Sequence, residues 1–188
     1  MWSKRALCVT VLSLLMAIPV VAKEKEMIEK FRATSMDADS RPVMVEIGIS
    51  AWSTEEERQE LMAALNDGGS KAVGELLQKM KDKSSKGFIT LPNMMGQDLG
   101  YAYQFNEGDT RIVIVATNRP VTMGESMAGS LSQDNNITFA NLVLDSSNDG
   151  KGQLYVGARM YVDDAGKLAV KDSISATDLT SVKPEKVK

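Results

Sequence analysis

The sequence predicts an α+β fold: an antiparallel, curled β-sheet of six to nine strands with an α-hairpin inserted after an early strand. Three observations predict it. Apolar residues alternate with period two through most of the chain from Val43 onward. One stretch, from Ser53 to Lys83, switches to a helical period and carries its own start and stop signals. Short turn sequences separate the neighbouring strand candidates, and strands joined by short turns pair antiparallel.

The elements follow in order. Met1 to Arg5 is a short basic segment, Ala6 to Val21 is uncharged, and Val20-Val21-Ala22 places small residues where a signal peptidase cuts. The uncharged run contains Pro19 and falls short of the roughly 20 apolar residues that span a bilayer, so residues 1–22 read as a signal peptide. Lys23 to Lys30 reads as a charged, flexible N-terminus, and residues 31–183 as a single α+β domain. Phe31 to Met36 alternates loosely, and Asp37 to Pro42 is a turn cluster. In Val43 to Ile49, the residues Val43, Val45, Ile47 and Ile49 share one face of a strand that ends at Trp52.

Ser53-Thr54-Glu55-Glu56 has the form of a capping box, with Ser53 as the cap and Glu56 reaching back to it. Leu61, Ala64 and Leu65 then fall on one helical face, and Gly68-Gly69 stops the helix. Ser70 caps a second helix with Val73, Leu76, Leu77 and Met80 as its stripe and lysines at its end. Gly87 to Leu91, Leu99 to Phe105 and Arg111 to Thr117 read as strands, the last two joined by a turn at Asn106 to Asp109. Thr122 to Ser130 is a loop or one helical turn. Ile137 to Leu144, Gln153 to Val162, Lys167 to Val170 and a short piece near Leu179 to Val182 complete the strands, with residues 184–188 as a Lys-rich tail. The predicted helix pair covers one face of the sheet.

Composition excludes several chemistries. The chain has 188 residues, 22 basic, 25 acidic, one Cys and no His. Removing residues 1–22 takes away Lys4, Arg5 and Cys8, which leaves a net charge of −5 and no thiol. No Cys/His or Ser/His nucleophile, thiolate zinc site or imidazole switch can be built. The acidic balance argues against nucleic acid, which needs a basic face to displace counterions. A protein of this length buries roughly 70% of its unfolded surface and needs no disulfide or metal to fold.

Four motifs could carry chemistry, and each has a plain structural reading. Asp145-Ser146-Ser147-Asn148-Asp149-Gly150 resembles the start of a calcium loop, but the twelfth position is Val156 and the segment lies between strands, so it reads first as a hairpin loop. Gly124-Glu125-Ser126-Met127-Ala128 is an imperfect nucleophile elbow without a histidine to serve it. Met94-Met95 and Met123/Met127 offer soft thioethers for Cu(I), or fill irregular gaps. Arg119 and Glu125 flank Pro120 and either pair to fix that segment or face a ligand.

Ile49 to Arg58, the Gly68-Gly69 turn, Leu99-Gly100-Tyr101, Arg111 to Val115, and Arg119-Pro120 with Glu125 resemble a family of exported bacterial proteins of uncharacterised activity. That family carries a W-S-T-x-x-E-R segment, a Gly-Gly helix turn and an R-P after a central strand. Asn118 stands where the resemblance leads one to expect Asp. The resemblance implies export and a single domain, and no mechanism.

The functional expectation is a secreted or periplasmic, non-catalytic binding or accessory protein. It would engage a small apolar ligand in the sheet cavity or a protein partner. Its candidate ligand-binding residues are Trp52, Tyr101, Tyr103, Arg119 and Glu125. No catalytic residue, metal ligand or cofactor is assigned. The rival is a small carboxylate-dependent hydrolase, which needs two carboxylates in a cleft, and a structural envelope component is the third reading.

Overall fold

A computed structural model of the chain describes residues 26–36, 40–92, 94–121, 136–164, 166–185 and 187. Among these residues the alternating segments form eleven strands around one helical element. The first two strands, β1 (Glu29–Met36) and β2 (Pro42–Ile49), pair along their whole length and precede the helix α1 (Glu55–Ser84). After it come β3 (Gly87–Thr90), β4 (Gln97–Asp98), β5 (Tyr101–Glu107), β6 (Thr110–Thr117), β7 (Thr138–Leu144) and β8 (Gly150–Val156). The chain ends with β9 (Arg159–Val162), β10 (Leu168–Asp172) and β11 (Ser175–Glu185).

Nine strands make one antiparallel sheet in the order β4-β3-β2-β1-β11-β8-β7-β6-β5, and β9 with β10 forms a separate two-stranded ribbon. The order explains the curl. β4 and β5 are the two edges of the sheet, yet only Leu99 and Gly100 join them. That link spans at most roughly 11 Å, so the sheet bends round until its edges nearly meet. Residues 50–53 seal the seam. The amides of Ser50 and Ala51 donate to the Lys86 carbonyl at 2.8 and 3.3 Å, and Ser53 N donates to the Ala102 carbonyl at 2.5 Å. The Ala102 amide returns a bond to Ser53 Oγ at 3.2 Å.

Strand alternation then sorts the side chains into two cores. The inside of the curled sheet is filled by Phe31, Val45, Ile47, Ile89, Val113, Val115, Leu142, Leu154 and Leu179, among others. Each such side chain contributes about 1.5–3 kcal/mol by leaving water. The opposite face of β5 to β8 carries Tyr101, Ile114, Ala116 and Phe139, and α1 and the β9–β10 ribbon cover it with Leu61, Leu65, Val73, Leu77 and Met160.

The helical region differs from expectation in two ways. Its cap is Thr54, not Ser53: Thr54 Oγ1 accepts from Glu57 N at 3.2 Å, and Glu57 Oε2 accepts from Thr54 N at 3.0 Å. The sequence holds two overlapping boxes, and the seam bonds of Ser53 leave the second one to start the helix. Residues 55–84 also run as one helical element interrupted from within, where two helices joined by a turn were expected. Its backbone departs from helical geometry at Gly69, with φ 62° and ψ −155°, a region open essentially only to glycine.

Two boundaries also move. β1 begins at Glu29, inside the stretch expected to be flexible, and β11 runs through Pro184 and Glu185, inside the expected tail. The expected strand from Gln153 to Val162 breaks into β8 and β9 at Gly157, whose φ is +64°. The loop from Asp145 to Asp149 is a hairpin connection between β7 and β8. Asp145 Oδ1 accepts from the amides of Ser147 and Asp149, so this carboxylate organises its own turn.

Candidate functional site

A recess of about 280 Å³ opens on the outer face of the sheet. Tyr101, Tyr103 and Phe105 occupy alternate positions of β5 and so project to one side, joined by Ile114 of the neighbouring β6. Arg58, one turn into α1, forms a second wall. Gly166, Lys167 and Leu168, where the β9–β10 ribbon turns, form a third. The volume lies at the lower edge of those that hold small molecules.

The aromatic side chains make a ladder. Tyr101 and Tyr103 stack with ring centroids 6.1 Å apart and planes at 19°, and Tyr103 and Phe105 lie 6.3 Å apart at 36°. Arg58 sits over the Tyr103 ring at 5.9 Å, within the range of cation–π attraction. The helix start fixes these groups. Glu55, in the first turn, accepts from Arg58 Nε at 2.9 Å and from the Tyr103 hydroxyl at 2.9 Å. The Arg58 and Tyr103 bonds hold the Glu55 carboxyl down at about 2. The same bond to Glu55 raises the Tyr103 phenol and, from the other side, the Arg58 guanidinium. Tyr101 is buried, 1% exposed, and burial pushes its phenol well above the usual range. Its hydroxyl has no hydrogen-bond partner among the described residues. On the opposite rim, Lys167 Nζ meets Glu107 Oε1 at 2.7 Å and ties the ribbon to the end of β5.

Of the five residues singled out in the sequence, the structure brings Tyr101 and Tyr103 together. Trp52 lies elsewhere, packed against the interior core with the Arg111 guanidinium 5.7 Å from its ring centroid. Arg111 is equally close to Phe31 and makes a two-pronged pair with Glu29 at 2.8 and 2.6 Å. Trp52 therefore belongs with the interior core and not with the lining of the recess. Arg119 is exposed, and its carbonyl accepts from Thr138 Oγ1 at 2.8 Å. Glu125, Met123, Met127 and the leader lie outside the described residues. Met94 packs against the interior core, whereas Met95 is 88% exposed. Asn118 joins β6 to the helix by donating to Gln78 Oε1 at 2.7 Å.

Arg58, Phe105 and Leu168 were not legible as site residues. Phe105 shares the alternation of Tyr101 and Tyr103 and could have been added on that ground. Nothing local marks Arg58, because its position over β5 depends on how α1 docks.

The recess presents aromatic faces and a guanidinium. Both carboxylates at its rim, Glu55 and Glu107, are already paired with a cation. A carboxyl held as low as that of Glu55 stays ionised and does not serve as a general acid near neutral pH. No group of three or more Asp, Glu, His or Cys that could hold a metal ion occurs among the described residues, and no helix among them is long and apolar enough to cross a membrane. Compared with known protein families, with curated proteins and with solved structures, the chain finds no match.

Proposed function

We propose that this is an exported, non-catalytic binding protein whose small ligand lodges in the outer recess between β5, α1 and the β9–β10 ribbon. The observation that carries the reading is the aromatic ladder. Three rings project side by side beneath a guanidinium, a mostly apolar wall with few placed polar groups, as small-molecule sites have. Export rests on the pattern of residues 1–22, and a periplasmic or secreted location follows from it. The W-S-T-x-x-E-R resemblance points the same way.

The reading includes a finer account of the helical arm: it doubles back at Gly69 as two antiparallel helices. A straight helix over Glu55–Ser84 would be roughly 45 Å long. Lys86, just past its end, nonetheless reaches Glu57 in its first turn at 2.7 Å. Folding back in this way brings both arms over the outer face of the sheet and gives the recess a rigid wall.

Native mass spectrometry of protein purified from its own host tests the function. The expected result is a retained small molecule that is lost when Leu168→Arg blocks the recess. A ligand-free wild-type protein, or one whose ligand survives Leu168→Arg, overturns the reading.

A further inference from the structure

Hydrogen-bond donors outnumber free acceptors at the recess. Arg58 has five N–H groups. Its Nε is held by Glu55, at 3.1 Å to Oε1 and 2.9 Å to Oε2. Among the described residues Nη1 meets only the Met62 sulfur, at 2.9 Å, and thioethers are weak acceptors. Nη2 has no hydrogen-bond partner among the described residues. The buried Tyr101 hydroxyl, in the same wall, also lacks an acceptor among the described residues. The acceptors nearby are occupied: Glu55 serves Arg58, Tyr103 and Gln59, and Glu107 serves Lys167. Around these donors the surface is flat and apolar, made of Tyr103, Phe105, Ile114 and Leu168.

We propose that the recess takes a small planar ring bearing a carboxylate, with the ring against Tyr103 and Phe105 and the carboxylate on the Arg58 terminal nitrogens. The proposal rests on the recess being a ligand site and adds the class of ligand. A guanidinium with free terminal nitrogens matches a carboxylate through two parallel bonds, which a point acceptor cannot provide. A cationic ligand would meet Arg58 and Lys167, while the rim carboxylates Glu55 and Glu107 are already paired.

The test is an NMR titration of the protein expressed without residues 1–22, with sodium benzoate, benzyl alcohol and benzylamine as separate probes. Benzoate is expected to shift Tyr103, Phe105 and Leu168 resonances saturably and to bind roughly tenfold or more tightly than benzyl alcohol. Benzylamine is expected to be weakest. Arg58→Gln should bring benzoate down to the affinity of benzyl alcohol. Arg58→Lys, which keeps the charge at the helix start, should fall between the two, with circular dichroism confirming both folds. If benzyl alcohol binds as tightly as benzoate, or Arg58→Gln leaves benzoate unchanged, the carboxylate class is overturned and the recess stands as a ring site. If no probe shifts these three residues, the recess reading falls with it.

Discussion

A single carboxylate organises the residues of the recess. Glu55 holds Arg58 through its Nε and Tyr103 through its hydroxyl, so the helix start and the β5 ladder share one anchor. Its carboxyl titrates near 2, below the ordinary 4.5, because Arg58 first and Tyr103 second donate to the charged form. A depressed carboxyl contributes its stability fully above pH 4.5 and loses it as pH falls toward 2. Carbon-detected NMR of the Glu55 carboxyl should therefore show a midpoint near 2. Tyr103→Phe should move that midpoint upward, and an unchanged value would refute the shared anchor. Tyr101 and Tyr103 were legible because strand alternation put them on one face. Trp52 lies apart from them: an aromatic just past a strand looks the same in the sequence whether it lines a recess or, as here, packs beside Arg111 on the interior core.

At the scale of elements, the helical arm offers the clearest contrast. Gly69 occupies backbone space that side chains rarely enter, whereas Gly74 lies within the helix and has no neighbouring atom within 4 Å of the place a Cβ would take. Gly69→Ala should cost about 1–3 kcal/mol of stability, and Gly74→Ala should add about 0.4–1 kcal/mol; urea unfolding measures both. Lys86 is the second test. Its side chain is only 8% exposed and its ammonium pairs with Glu57 at 2.7 Å, so Lys86→Ala strands a half-buried carboxylate. The expected loss is about 1–3 kcal/mol in the same assay. The sequence showed the Gly-Gly break and the lysines but not this pair, since its members stand 29 positions apart. β1 escaped for a similar reason. Its outward residues Lys30 and Arg32 look like a solvated stretch, and only Glu46 of β2 and Glu185 of β11, both distant in the chain, neutralise them. Its inward residues, Phe31, Ala33 and Ser35, are buried, a pattern too short and too small to stand out.

For the whole molecule, the strand content and the curl followed from period-two alternation and short turns, while the meeting of β4 with β5 did not. That closure depends on a two-residue link and on the seam bonds of Ser53, which no local pattern encodes. Arg111 plugs one end of the resulting barrel between Phe31 and Trp52. Removing it should loosen that end: Arg111→Ala is expected to lower stability by about 2 kcal/mol. It should also red-shift the emission of Trp52, the sole tryptophan once residues 1–22 are gone. The pairing of β1 with β11 reaches further. Lys30 faces Glu185 and Thr34 faces Thr180, so the earliest strand has to wait for the latest one. A chain lacking Ser175–Glu185 leaves two strands, β1 and β8, with bare edges where β11 would pair. The same neighbourhood places the start of β1 beside the end of β11. A short peptide could splice them into a ring, and a new opening cut at Gly108 would yield a permuted protein with the same architecture.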